Sequence, residues 1–216
     1  MTSETMAALV LPQTPLAESV LGLALRVESP AVANHSIRSF LFARLFAEHA
    51  GATPAADYDT DLLFAACVLH DIGLSDAANG TLRFEVDGAN KAAEFLTDQG
   101  LGAAAVDAVW EAIALHTSPQ IAEHRGTLCN FTRTGIALDF GFGTEFISDE
   151  VGAAIHDRYP RHSMATSLVD IIVEQATAQP DKAPPFSPAA EFLRVRAQPG
   201  EATVLEHAAD HGRWGN

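Results

Sequence analysis

The chain has 216 residues, a length that fits one domain with a full hydrophobic core and no need of disulfides. Hydrophobic residues make up 48% and charged residues 19%, which is typical of a globular protein and excludes a disordered one. The formal net charge of −15 disfavours nucleic acid and anionic membranes as partners. It also disfavours highly charged polyphosphates, unless a local metal or basic pocket overrides the repulsion.

The few cysteines and the termini indicate the compartment. Cys67 and Cys129 are too few for a disulfide framework, and we expect both to be reduced. The N-terminus lacks the basic segment and long apolar core of a signal peptide, and no apolar run is long enough for a membrane span. We therefore expect a cytoplasmic protein whose partner is a small molecule, and a homo-oligomer is possible.

Nearly every segment with a clear hydrophobic period predicts a helix. In chain order, helices are expected at 15–27, 34–50, 60–71, 85–98, 103–116, 128–140, 151–158, 163–178 and 189–195. Residues 73–82 are expected to form a loop, and the polar segment after 195 carries no predicted element. No strand alternation, repeat or heptad run is present, so the sequence predicts an all-α single domain.

The pair His70-Asp71 closes the wholly apolar run 62–69. Burying an imidazole and a carboxylate there would cost on the order of several kcal/mol unless both groups have polar or charged partners. A divalent metal suits both groups. Candidate partners elsewhere in the chain are His35, His116, His124 and Asp139.

Each candidate also has a structural interpretation when taken alone. A lone histidine such as His35 is usually a hydrogen-bonded core residue, and a buried aspartate such as Asp139 is often a helix cap. The spaced combination is more specific than either. Two imidazoles and two carboxylates suit zinc, iron, manganese or cobalt better than calcium, and leave coordination positions for water.

One histidine, a His-Asp pair and a later aspartate, each on a separate predicted helix, resemble the ligand order of the HD-domain superfamily of metal-dependent hydrolases and lyases. Local motifs are similar to the branch that includes cyanamide hydratase, and the resemblance spans about residues 29–148. The motifs lie at 34–40, 83–89 and 110–118.

This resemblance implies a compact helical HD-domain fold with a central metal site, filling residues 1–216 with a core at about 29–180. A short N-terminal helix and a C-terminal tail flank that core. The implied ligands of a divalent metal, with zinc expected first and iron, manganese or cobalt as alternatives, are His35, His70, Asp71 and Asp139.

His116 and His124 follow in the order of a second metal site found in some HD-domain relatives. Only seven residues separate the two histidines, and Pro119 lies between them. We favour one metal, with Asp71 and His116 as catalytic residues and His116 acting as an acid or base or as a ligand on the open side. His124 is then a solvated loop residue, with a role in a second metal or in substrate binding as the alternative.

A metal site of this kind makes hydroxide available near neutral pH. The resemblance implies the hydration of a small neutral nitrile, such as cyanamide to urea, in a pocket containing Arg38, Leu74, Phe84 and Thr117. Many nucleotide-directed relatives carry Lys or Glu at the position of Leu74, so a phosphohydrolase is the alternative. Both Arg38 and Phe84 also have a structural interpretation. Arg38 could neutralise Asp71 or Asp139, and Phe84 could simply pack in the core.

A non-enzymatic interpretation stays open at this point. A metal-bearing helical module could use its acidic surface to bind a protein partner. A metal with an open position facing a pocket would favour the enzyme, whereas a closed ligand shell without a pocket would favour the module.

Overall fold

The structure is a computed structural model that describes residues 2–215, and across that range it contains eleven α-helices and no β-strand. The helices are α1 (Ser3–Ala8), α2 (Pro15–Val27), α3 (Pro30–His49), α4 (Thr60–Leu69), α5 (Phe84–Asp98), α6 (Ala103–Leu115), α7 (Thr127–Asp139), α8 (Asp149–Arg158), α9 (Met164–Ala178), α10 (Pro188–Arg196) and α11 (Val204–His211). Short 3₁₀ turns lie at Ile72–Leu74, Ala122–His124 and Pro180–Lys182. The all-α prediction is confirmed.

The start of α3 differs from the sequence prediction. Pro30, which lies outside both predicted helices, is the first residue of α3, and the Ser29 hydroxyl accepts a hydrogen bond from the Val32 amide. Proline is favoured at a first helical position because the N–H that it lacks would have no partner inside the helix. The helix therefore begins four residues before the predicted start at Asn34.

Helix α4 lies at the centre of the domain, in contact with α2, α3, α6 and α7. Its side chains from Leu63 to Leu69 are all buried, which explains why the run shows no polar face. The Asp59 carboxylate caps the N-terminus by accepting hydrogen bonds from the amides of Asp61 and Leu62. The helix therefore delivers His70, the residue that follows it, into the interior.

Helices α3 and α7 pack closely along their length. A Cβ at Gly135 would collide with the Ser39 carbonyl and the Ala43 side chain, so only glycine permits this approach of the two backbones. The close packing brings His35 of α3 opposite Asp139 of α7.

Helix α9 packs against α3, and α10 and α11 pack on α9. Together with the C-terminal end of α7 these three helices enclose a second hydrophobic cluster. The segment after α11 folds back onto the domain, where the Trp214 indole N–H donates to the Leu138 carbonyl at 2.6 Å. Arg213 donates to the carbonyl oxygens of Thr144 and Ile147. The C-terminal segment, for which the sequence predicted no element, thus contains a helix and is anchored. None of the helices in residues 2–215 has both the length and the apolarity that crossing a membrane requires.

Candidate metal centre

Three histidines from three helices converge in the interior. His35 lies in the second turn of α3, while His70 and His116 are the residues that directly follow α4 and α6. The ring centroids of His35 and His70 are 5.0 Å apart, and those of His70 and His116 are 4.9 Å apart. All three side chains are buried.

The Asp71 carboxylate lies among the Nε2 atoms of these three rings. Its Oδ2 is 3.1 Å from Nε2 of His70 and 3.7 Å from Nε2 of His35, and its Oδ1 is 3.6 Å from Nε2 of His116. Donor atoms of His35, His70 and Asp71 all lie within 4.8 Å of one another, close enough to share one ion. His116 lies beside this group, with its Nε2 next to the Asp71 carboxylate.

The other ring nitrogen of His70 and of His116 faces a backbone carbonyl. Nδ1 of His70 is 2.7 Å from the carbonyl oxygen of Cys67, and Nδ1 of His116 is 2.7 Å from that of Ile113. Each contact runs back three residues into the last turn of the helix. A carbonyl accepts but cannot donate, so Nδ1 carries the proton and Nε2 presents its lone pair to the cluster.

Asp139 holds His35 in the equivalent way. Its Oδ2 lies 2.6 Å from Nδ1 of His35, on the side of the ring that faces away from Asp71. Arg38 donates from Nε to Oδ1 at 2.7 Å and from a terminal nitrogen to Oδ2 at 2.8 Å, a bidentate contact. Arg161 and His156 also approach Oδ1, at 3.4 and 3.6 Å.

The structure therefore gives Asp139 a position other than the metal ligand that the sequence predicted. Both of its oxygens are already bound by Arg38 and His35, and the His35 ring lies between Asp139 and the cluster around Asp71. Arg38 neutralises Asp139, which was the structural alternative for this residue.

His156 and Arg161 were not among the residues predicted for the site. The side chain of His156 is only 15% exposed, and Arg161 also donates to the Asp139 carbonyl oxygen at 2.8 Å. His156 lies in the predicted helix at 151–158, and Arg161 lies in the connection that follows it. Only the buried charge of Asp139, which needs cationic partners, could have indicated them.

Burial and mutual charge set the protonation of the cluster. Burial lowers the pKa of His35, with Asp139 opposing it, and burial together with His70 lowers the pKa of His116 to about 4. Burial alone would lower the pKa of His70, but Asp71 outweighs it and the pKa is raised. Burial would raise the pKa of Asp71, yet the surrounding histidines lower it. At neutral pH the cluster thus offers an ionised carboxylate at Asp71 and neutral imidazoles at His35 and His116, whereas Asp71 favours the protonated form of His70.

An apolar cavity of about 410 Å³ opens onto this cluster, and His35, His70, Asp71 and His116 form part of its wall. Of the predicted pocket residues, Phe84 and Thr117 line the cavity. Arg38 and Leu74 do not line it. Arg38 is wholly buried against Asp139, and Leu74 packs in the second hydrophobic cluster, among residues of α9 and α10. Phe140 lines the cavity beside His35, with ring centroids 5.3 Å apart.

A hydrogen-bonded group of Arg83, Glu85 and Thr117 borders the cavity next to His116. The Thr117 hydroxyl donates to Glu85 at 2.6 Å, and Arg83 forms an ion pair with the same carboxylate. Burial would raise the pKa of Glu85, but Arg83, His116 and Thr117 outweigh burial and lower it. Glu85 was expected only to favour the positive end of α5, so this contact is an addition from the structure.

The structure does not bring His124 to the cluster. This histidine is exposed in the 3₁₀ turn Ala122–His124 and is absent from the cavity wall. The short spacing and Pro119 turn the chain outward after His116. The alternative of a second metal or substrate site built from His116 and His124 is therefore not supported.

The donor atoms fit a divalent metal ion. Three imidazole nitrogens with fixed tautomers and one ionised carboxylate form a mixed nitrogen and oxygen set, which suits zinc and related first-row metals and not calcium. No lysine or arginine pairs with Asp71 among the side chains that the structure describes, in contrast to Asp139. The cluster thus lacks a positive charge that a metal would supply.

Comparisons with known proteins agree with this geometry. The profile of the family described as HD domain matches residues 32–176, which include all four residues of the cluster. Cyanamide hydratase DDI2 and cyanamide hydratase DDI3 of Saccharomyces cerevisiae are each 27% identical over 173 residues, covering 78% of this chain and 76% of the relative. The chain belongs to the HD domain family of metal-dependent hydrolases.

Proposed function

We propose that this protein is a metal-dependent hydratase that adds water to a small nitrile-type substrate, as in the conversion of cyanamide to urea. The observation that carries this proposal is the convergence of three Nε2 atoms on Asp71 at the wall of an apolar cavity. The names of the two yeast relatives support the choice of reaction.

The residues that would hold the metal are His35, His70, Asp71 and His116. We expect zinc first, with iron, manganese or cobalt as alternatives. When bound, the metal supplies a Lewis acid that makes hydroxide available near neutral pH. Asp71 contributes the negative charge that offsets the ion, and the histidine Nδ1 contacts keep the three rings in place.

This assignment changes the role expected for His116. A buried imidazole with a pKa lowered to about 4 carries no extra proton to give at neutral pH, and its Nδ1 proton is bound by the Ile113 carbonyl. Its free Nε2 faces Asp71 instead. We therefore propose His116 as a ligand, not as the general acid.

Thr117 is the polar group best placed to position the reactants. Its hydroxyl proton is donated to Glu85 and its oxygen accepts from Arg83 at 3.4 Å, which leaves one oxygen lone pair available to the cavity that it lines. There it can accept a hydrogen bond from the attacking water or from the amino group of cyanamide. Phe84 and Phe140 supply apolar walls that suit a neutral substrate and exclude surplus water.

A phosphohydrolase is the second candidate. Arg133 places one cation in the cavity wall and could contact a phosphate ester. The rest of the wall is predominantly apolar, and the chain carries a net charge of −15, so the hydratase is favoured.

The test is a turnover comparison on protein of known metal content. Purified protein is analysed for metals, stripped with a chelator and reloaded separately with each candidate metal. Urea release from cyanamide is measured beside hydrolysis of nucleotides and a chromogenic phosphate ester. We expect about one metal per chain and metal-dependent urea release with little phosphatase activity. Robust phosphatase activity without urea would overturn the proposal in favour of the second candidate.

A further inference from the structure

The cavity is far larger than cyanamide requires. At about 30 Å³ per molecule of liquid water, 410 Å³ holds the equivalent of roughly a dozen waters. Cyanamide has three non-hydrogen atoms and would fill a small part of that space. Cavities of this size are typical of sites that enclose larger organic ligands. The volume indicates that the reacting group is one end of a longer molecule.

Arg133 is the only cationic side chain in the cavity wall among the residues that the structure describes. Its Nε is buried without a hydrogen-bond partner, and Arg133 forms no ion pair with the side chains that the structure describes (2, 3 and 5–215). Glu123 acts on it only as a more distant charge. Glu191, the other charged residue of the wall apart from Asp71, is already paired with Arg194. Arg133 is thus free to bind an anion.

The position of Arg133 on α7 places it away from the metal centre. Arg133, Ile136, Ala137 and Phe140 follow one another at helical spacing and form the stripe of α7 that faces the cavity. Phe140 contacts His35, whereas Arg133 lies about 10 Å away along the helix axis at roughly 1.5 Å per residue. An elongated ligand can therefore reach both ends.

Part of the cavity wall comes from a segment of the chain that the family profile does not cover. Phe192 of α10 and Leu205 of α11 line the cavity, and both follow residue 176, where the match ends. These side chains are apolar and would contact the middle of the ligand. The body of the ligand is therefore expected to be apolar too.

We propose that the substrate is an elongated apolar molecule with a nitrile-type group at one end and a carboxylate at the other, bound by the Arg133 guanidinium. This inference rests on the proposed hydratase function. A carboxylate fits better than a phosphate because a single planar guanidinium matches one carboxylate in a bidentate contact. A dianionic phosphate would find no second cation in this wall.

The test measures binding and turnover separately on the metal-loaded protein. Isothermal titration calorimetry compares 6-cyanohexanoate with its neutral amide, 6-cyanohexanamide, which has the same length and apolar body. The wild type is compared with Arg133→Gln and Arg133→Lys. The matched control is Arg125→Gln, which removes an exposed arginine that pairs with Glu111 outside the cavity. Circular dichroism checks the fold of each variant.

We expect the acid to bind about 10- to 100-fold more tightly than the amide, the range of a hydrogen bond to a charged group. The preference should persist in Arg125→Gln, fall in Arg133→Lys and vanish in Arg133→Gln. Equal binding of acid and amide by the wild type would overturn the inference. So would a preference that survives Arg133→Gln, since the carboxylate would then lie elsewhere. If neither compound binds, the inference also fails.

Failure of the hydratase proposal gives a different result. Preference for the acid that depends on Arg133, without amide product from any nitrile, would support the cavity assignment and overturn the proposed reaction. Urea release from cyanamide without any preference for the acid would support the proposed reaction and overturn the assignment of Arg133 as a carboxylate-binding residue.

Discussion

Asp71 and Asp139 are both buried carboxylates in contact with His35, yet their surroundings differ in one respect. Asp139 is held by two guanidinium groups, from Arg38 and Arg161. The basic groups within ion-pair distance of Asp71 are all imidazoles. Burial alone therefore does not identify a metal ligand. The carboxylate whose charge the protein leaves unpaired is the one that a metal completes.

The largest expected effect is the loss of metal and activity in Asp71→Asn. The amide keeps the shape of the side chain but removes the negative charge that faces three Nε2 atoms. Metal content and urea release should both fall by more than about 100-fold, since loss of an outer partner alone costs about 10- to 100-fold. Elemental analysis and cyanamide turnover measure this.

Asp76→Asn is the matched control, because Asp76 is exposed and lies outside the cavity wall. It should retain metal and activity. If Asp71→Asn also kept its metal, the distinction between the two buried carboxylates would fail.

Asp139→Asn should mainly reduce stability. The substitution leaves the wholly buried guanidinium of Arg38 without its partner, and breaking a buried ion pair from one side costs about 3–5 kcal/mol. Chemical denaturation of the metal-free protein measures the free energy of unfolding. Asp71→Asn, measured in parallel, should lose less because no guanidinium depends on Asp71. An equal loss in both variants would show that their environments are equivalent.

His116→Ala should weaken metal binding by at least about 10- to 100-fold, the loss that even an outer partner causes. His124→Ala is the control, since His124 is exposed and outside the cavity. Metal titration of the stripped variants decides between a ligand and an acid–base role. Tight metal binding with slow turnover in His116→Ala would restore the acid–base role.

The smallest expected effect is a change in the stability contribution of Asp139 at low pH. Burial would raise the pKa of Asp139, but Arg38, His156 and His35 outweigh it and hold the pKa well below 3.8. A carboxyl with a depressed folded pKa contributes stability above its unfolded pKa, and that contribution is lost as the pH falls toward the folded pKa. The stability difference between wild-type and Asp139→Asn apoprotein should stay constant down to about pH 4 and shrink below it. A difference that shrinks already between pH 7 and pH 5 would contradict this.

The helices were the most predictable part of the chain. Helices α2 to α10 lie close to their predicted positions because most of them bury a periodic apolar stripe, whereas α4 is apolar on every side. His70-Asp71 was equally visible, since charged groups that close an apolar run need a partner. The helix α11 was missed because its 8 residues are too few for its amphipathic pattern to stand out in the sequence.

The division of roles within the site could not be predicted. Whether Asp139 meets a metal or the far side of an imidazole depends on which ring nitrogen of His35 faces it, and that follows only from the approach of α3 and α7. Arg133 was missed for a similar reason. It stands at helical spacing from Ile136 and Phe140, but the sequence does not reveal that this stripe faces a cavity instead of the core.

The hydrogen bonds of the three histidines also differ in how far they reach along the chain, which has a consequence for the order of assembly. His70 and His116 are oriented by carbonyls three residues earlier, so their rings adopt the required direction as soon as α4 and α6 form. The partner of His35 is 104 residues away. Such a long loop must close before this contact forms, and closure is slow. During folding we therefore expect two nitrogens to be aligned early and the third to arrive last, with the docking of α3 on α7.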